Sequence, residues 1–282
     1  MKSSQKSSRL PPTSAIGLGC SRLGSMMANQ TSGEIRALIQ GAHALGVNVF
    51  DTANIYGQGR SEQLIGEALR GVGDVCIVTK AGQVFPLRQR LLSPLRGPVT
   101  ALLKRSKGIS SSLRSVRSRG LPRDYRPEHL RRSLMGSLRR LRREQVEVFL
   151  LHSPRAEHLA DGAALDGLVD LKNRGLAGLV GVSCDDLEVL EAICHDPRVD
   201  VIQAPFGVSR RSMEPGLRKA AGRGALVIAR EVFSFEAPAE KPSIGDAVSF
   251  CVGHPSVGIT LVGTTNLEHL REATRVVSSS GW

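Results

Sequence analysis

The chain has 282 residues, 41% of them hydrophobic and 23% charged, with a net charge of +12. That balance supports a sizeable core and excludes wholesale disorder, and no apolar run approaches the ~20 residues of a membrane-spanning helix. Five cysteines (20, 76, 184, 194 and 251) form an odd, scattered set with no C-x-x-C pair, which argues for a reducing compartment and against a disulfide scaffold or zinc ribbon.

The chain opens with a Ser- and Lys-rich stretch from Met1 to Pro12 that lacks the apolar segment of a secretory signal. Residues 1–14 therefore read as a short tail, and the expected location is cytoplasmic. A strand is predicted at 15–20 (AIGLGC), then a helix whose apolar face is Ile35, Leu38, Ile39, Ala42 and Leu45. The second strand is 47–51 (VNVFD); the helix after it carries Leu64, Ile65, Ala68 and Leu69, with Ser61 as its expected N-cap. The third strand is 75–80 (VCIVTK), followed by a long connection over 81–127 and a helix with Leu130, Leu134, Leu138 and Leu141 on one face and arginine on the other. Strands at 146–151 (VEVFLL), 178–183 (GLVGVS), 201–205 (VIQAP), 226–230 (LVIAR) and 258–263 (GITLVG) complete the set. The late helices carry Leu165, Leu168, Val169 and Lys172 (closed by Gly175), then Ile244, Ala247, Val248 and Cys251 behind Ser243, and last Leu267, Leu270 and Ala273 behind Asn266. The strands are apolar on both faces, as buried parallel strands are. Eight of them alternating with helices predict a single-domain (β/α)8 barrel over 15–282, with a doubly wound sheet as the alternative.

The charge is not spread evenly. Residues 86–143 hold 17 Lys and Arg against two acids, Asp124 and Glu128, so this stretch alone carries +15 and the rest is slightly acidic. Tyr125 is its only aromatic, which argues against a base-stacking surface. The 81–127 connection reads as a solvated or disordered loop, a lid over the site, or a docking segment for an anionic surface or nucleic acid.

Side chains at the C-terminal ends of barrel strands converge on the active site. Strand two ends in Asp51, with Tyr56 five residues on; strand three ends in Lys80; strand four is followed by His152. An apolar strand should not finish in an unpaired charge, so Asp51 and Lys80 are expected to pair. Lys80 beside Tyr56 would favour the phenolate and lower the tyrosine pKa. His152 would hydrogen-bond a substrate oxygen, which makes the group a general acid with its tuning partners. Taken singly, each has an ordinary reading: a turn cap, a packed ring, a strand-end lysine, a satisfied core histidine. The joint pattern is more specific. The sequence has no G-x-G-x-x-G, no P-loop and no H-E-x-x-H, and its seven histidines form no metal-ligand cluster. Cys194 and His195, adjacent on a helix, read as core or surface residues. No metal is expected.

At these residues the sequence closely resembles the aldo-keto reductase family. GLGCSRLG is similar to the family's first strand and loop, and GVNVFDTANIYGQGRSEQLIGEAL to its signature around the catalytic Asp and Tyr. VCIVTK carries the Lys and VEVFLLHSP the His; GLVGVSC, VIQAPFGVSRR, ALVIAREVFS and LVGTTNLEHLREA resemble the later strands. The resemblance implies reduction of an aldehyde or ketone by hydride transfer from a nicotinamide cofactor, with Tyr56 as proton donor, Lys80 and Asp51 tuning it, and His152 orienting the carbonyl. It implies further that Ser183 and Gln203 bond the nicotinamide carboxamide, that Arg230 stacks where many members have an aromatic, and that Ser21 lies near the cofactor. Gly263, Thr264 and Thr265 would approach its phosphates or adenosine ribose. Thr264 and Thr265 also fit a simple turn or cap. The chain departs from the family at Cys184, where an Asn is usual, and at Gly263 and His269, where many members have a Lys and an Arg that clamp the adenosine 2′-phosphate. His269 would then supply a hydrogen bond, with Arg275 or a residue of the basic loop as a substitute for the clamp. NADPH is the expected coenzyme, with NADH as the alternative. The competing reading is a non-catalytic, reductase-like cofactor-binding or regulatory subunit.

Overall fold

Each strand candidate becomes one stave of a closed barrel. In the computed structural model, which describes residues 10–24, 30–84, 121–234 and 242–279, the parallel strands are β1 (Ile16–Gly19), β2 (Val49–Asp51), β3 (Cys76–Ala81), β4 (Val146–His152), β5 (Ala177–Ser183), β6 (Val201–Pro205), β7 (Leu226–Arg230) and β8 (Ile259–Val262). Each pairs with the next in chain order, and β8 closes on β1 with Leu261 opposite Gly17. The helices are α1 (Ser32–Ala44), α2 (Arg60–Ala68), α3 (Pro127–Leu141), α4 (Ala163–Asn173), α5 (Leu187–Ile193), α6 (Glu214–Gly222), α7 (Ile244–Val252) and α8 (Leu267–Ser279). The fold is a (β/α)8 TIM barrel, not a doubly wound sheet.

Side-chain caps explain half of the helix starts. Thr31 and Glu34 form a reciprocal capping box at α1. Asp186 and Ser243 accept backbone N–H bonds at the starts of α5 and α7, and the Asn266 side chain accepts from Glu268 N at α8. Two expectations change. Gly59, not Ser61, caps α2; Ser61 lies inside the helix, bonded to the Thr52 hydroxyl at 2.9 Å and the Cys20 carbonyl at 3.1 Å. On α4 the stripe is completed by Leu171, while Lys172 turns out to pair with Asp200 at 2.7 Å.

The two-residue period of a strand sorts the side chains into layers. Val49, Val78, Leu150, Val201, Ile228 and Leu261 belong to the core inside the barrel. The outward residues, such as Phe50, Ile77, Phe149 and Ile202, pack with the helices in the outer core. Two positions after each inner residue stands the next inward one, at the C-terminal rim: Asp51, Lys80, His152, Gln203, Arg230 and Gly263. The barrel filling thus forms the floor on which the site is laid.

The 85–120 part of the long connection lies outside the described residues, and with it the lid, docking and disorder readings. Of the expected tail, residues 1–9 also lie outside them. Pro12 and Ser14 are held to the barrel by hydrogen bonds with Asn48. All five cysteines are buried and free. Among the described residues no helix is long and apolar enough to cross a membrane, and no cluster of His, Cys, Asp and Glu could hold a metal.

Candidate active site

A chain of hydrogen bonds crosses the barrel rim from β5 to β3. The Ser183 hydroxyl donates to Gln203 Oε1 at 3.0 Å, and Gln203 Nε2 donates to Asp51 Oδ1 at 2.7 Å. Lys80 Nζ donates to the same carboxylate oxygen at 2.6 Å and to the Thr52 carbonyl at 2.9 Å. All four side chains are buried. A buried ammonium and a buried carboxylate are each costly alone and stable together once hydrogen-bonded, so the expected Asp51–Lys80 pair is present.

Tyr56 sits in the 3-10 turn Tyr56–Gly59 that follows β2. Lys80 Nζ lies 5.4 Å from its ring centroid, and the His152 ring stands edge-on to it, 5.6 Å away at 88°. The expected effect of Lys80 on Tyr56 is not observed. Burial, and then the Asp51 carboxylate, push the phenol well above its ordinary value. Asp51 has already neutralised the ammonium, so desolvation decides. Burial also lowers the Lys80 pKa, opposed by Asp51. His152 is held well below its ordinary value by burial and by the Lys80, Arg230 and Arg123 cations, and is a neutral imidazole.

These groups border a cavity of about 440 Å³. Of the expected residues, Ser21, Asp51, Tyr56, His152, Ser183, Gln203, Arg230 and Gly263 line it; Lys80 stands behind Asp51. Thr264, Thr265 and His269 are not in its wall. Thr264 Oγ1 accepts from Asn266 N at 3.0 Å and lies 3.3 Å from His269 Nδ1, and the Thr265 carbonyl accepts from Gln30. Cys184 is buried behind the wall, its thiol 3.8 Å from the Gln203 carbonyl and pushed up to about 12 by burial.

Sequence reasoning passed over several wall residues. Arg230 is gripped by Asp185 and Glu231 and donates to the Cys184 carbonyl at 3.0 Å; Glu231 also accepts from Arg210 at 2.6 Å. Ser153 and Glu231, each next to a rim residue, have left-handed backbones with φ of 53 and 57°, a strain typical of functional sites. The exposed Arg22 lines the cavity with no carboxylate partner among the described residues. The available signal was position: Asp185 comes two residues after strand five and Glu231 directly after strand seven.

A nicotinamide carboxamide would need a donor and an acceptor in the wall, and the buried Ser183–Gln203 pair offers both kinds. Two buried atoms of wall residues, His152 Nδ1 and Arg230 Nε, have no hydrogen-bond partner among the described residues. Buried polar atoms are nearly always paired, so a polar occupant fits this cavity. The open space around a Cβ at Gly263 leaves room at the rim.

Comparison with known proteins places the chain in a family. Residues 15–235 match the model of the Aldo/keto reductase family. An uncharacterized oxidoreductase of Mycobacterium tuberculosis is 30% identical over 174 residues, 60% of this chain and 42% of that protein. The NADH-specific methylglyoxal reductase of Escherichia coli is 26% identical over 179 residues, 61% of this chain and 48% of that protein. The chain spans less than half the length of these curated relatives. Among solved structures, an aldo-keto reductase from Klebsiella pneumoniae in complex with NADPH superposes with a TM-score of 0.69 at 19% identity, covering 94% of this chain and 86% of that one.

Proposed function

The chain belongs to the aldo/keto reductase family, and from that premise we propose that it reduces an aldehyde or ketone to the alcohol, with Tyr56 as general acid and a nicotinamide cofactor as reductant. The observation that carries the reading is the convergence of Tyr56, His152 and Asp51 on one cavity, with Lys80 paired to Asp51 behind the wall. When bound, the reduced nicotinamide supplies the hydride. Ser183 and Gln203 would hold its carboxamide, and the Arg230 guanidinium, fixed by Asp185 and Glu231, offers a plane for its ring. His152, neutral and with a free ring nitrogen, would orient the carbonyl oxygen toward Tyr56. Tyr56 holds its proton at every physiological pH and gives it to that oxygen as negative charge builds there. Asp51 holds Lys80 in place beside the Tyr56 ring and keeps it charged inside the barrel.

NADPH is the proposed coenzyme, in line with the Klebsiella complex, with NADH as the alternative named for the E. coli relative. His269 is engaged with Thr264 and Arg271 with Glu268, so the 2′-phosphate would gain little from the start of α8. A fluorescence titration with NADPH and NADH at one salt concentration, followed by a screen of small aldehydes and ketones, tests the reading. Binding of either coenzyme with turnover of a carbonyl supports it. Binding without turnover of any carbonyl would favour the non-catalytic subunit, and binding of neither would remove the cofactor from the account.

A further inference from the structure

The connection between β3 and α3 is pinned at both ends of its described part. Val84 N donates to the Pro122 carbonyl at 2.8 Å and Asp124 N to the Gly82 carbonyl at 2.7 Å, with Gln83 opposite Arg123 in an antiparallel bridge. The next residue, Tyr125, is 5% exposed and lays its ring against Gly82. A Cβ at Gly82 would lie 2.0 Å from Tyr125 Cε1, and the φ of 119° at Gly82 suits glycine alone. On another side the Tyr125 ring meets His158 edge-on at 4.9 Å. The ring is therefore fixed, and its hydroxyl donates to the His152 carbonyl at 2.7 Å. Arg123 Nε donates to the following carbonyl, that of Ser153, at 3.1 Å. Between these carbonyls the chain turns through the left-handed Ser153, a conformation that L residues seldom adopt unaided. One short segment thus fastens the two successive peptides that follow His152.

We propose that Tyr125 is a positioning residue for His152, its hydroxyl holding the His152 peptide so that the imidazole stays edge-on to Tyr56 over the cavity. The proposal rests on the reductase reading for the part His152 plays. Packing alone would explain the ring of Tyr125. It does not explain a hydroxyl aimed at the backbone of the one strand-end histidine in the cavity wall. Burial pushes the Tyr125 phenol up, so the donated proton is present throughout the working pH range.

Tyr125→Phe keeps the ring against Gly82 and His158 and removes only the hydroxyl. The expected result is a kcat lower by about ten- to a hundredfold, the scale of a small misplacement of a reacting group, with NADPH affinity within about twofold of the unmutated protein. A second readout does not depend on turnover: the ¹⁵N resonances of the His152 imidazole, assigned with His152→Gln. In Tyr125→Phe they should shift and begin to titrate nearer the ordinary value of about 6.5. Arg123→Gln, which frees the Ser153 carbonyl, should shift them in the same direction, and serves alone if Tyr125→Phe does not fold. Unchanged imidazole resonances overturn the proposal. So does a kcat that falls only in step with lost NADPH binding or lost folded protein. If the unmutated protein turns over no carbonyl, the reductase reading fails, and the imidazole shift still decides whether Tyr125 positions His152.

Discussion

The Tyr56 phenol keeps its proton because burial and the Asp51 carboxylate both oppose the phenolate. His152 stays neutral because burial and three nearby cations oppose the imidazolium. With one group shifted up and the other down, neither titrates across the physiological range. The kcat profile with NADPH should therefore be flat from about pH 6 to 9, with no break near 6.5, the ordinary histidine value. An acidic limb centred there in kcat, removed by His152→Gln, would show that His152 is exposed and protonated. The same shift acts on stability. A histidine whose folded pKa is depressed binds fewer protons folded than unfolded below about 6.5, so its contribution weakens as pH falls through that window. The Asp51, Tyr56, Lys80 and His152 set was legible in the sequence because strand ends in a barrel point to one place. The direction of the Tyr56 shift was not, because it turns on how completely Asp51 neutralises Lys80, a distance that no spacing reveals.

At the scale of elements, α2 and α3 are in direct backbone contact behind the Tyr56 turn. A Cβ on Gly66 would lie 2.6 Å from both the Arg140 and Leu141 carbonyl oxygens, and the buried Glu62 of α2 accepts from Arg140 at 2.6 Å and from Thr79 at 2.7 Å. Thr79 precedes Lys80 on β3, so this packing bears on the site. In a solvent-exposed helix Gly→Ala stabilises by about 1 kcal/mol. Here the neighbour is backbone, and Gly66→Ala should destabilise by about 1–3 kcal/mol in urea unfolding, the usual cost of overpacking; a gain in stability would contradict the contact. A second joint lies between α6 and α7, where Glu214 takes hydrogen bonds from Arg211 and Arg218 and lies 3.2 Å from His254 Nε2. These partners hold its carboxyl down at about 2. A depressed carboxylate stabilises above its ordinary value of 4.5 and loses that contribution as pH falls toward 2. Glu214→Gln should lower Tm near neutral pH and flatten the decline of Tm with acid below about 4.5; a parallel Tm–pH curve would contradict this. Strands were legible to within two residues because two-faced apolar runs bounded by turns have few other uses. The α2 cap was misread because Ser61 fits the capping pattern, while the left-handed Gly59 and the tertiary bonds of Ser61 to Thr52 and Cys20 override it.

The described residues form a packed barrel whose inner layer, mostly Val, Ile and Leu, ends in a polar rim. That layering is why the fold and about half of the cavity wall could be read from one sequence: the inward position after each inner apolar residue stands at the rim. Residues off the strands were harder to see. Tyr125 stood out only as the single aromatic in an arginine-rich stretch, and its hydrogen bond to the His152 carbonyl depends on how the ends of the long connection meet. Asp185 and Glu231 became wall residues through their ion pairs with Arg230, which pattern alone does not join. We infer that this rim performs carbonyl reduction through the Tyr56 proton. The most direct test is turnover of one accepted aldehyde by the unmutated protein and by Tyr56→Phe, each saturated with coenzyme as judged by fluorescence. The variant should show a kcat lower by about 10²-fold or more, the scale of a lost general acid, with coenzyme affinity essentially retained. Equal turnover by the two proteins would contradict the inference.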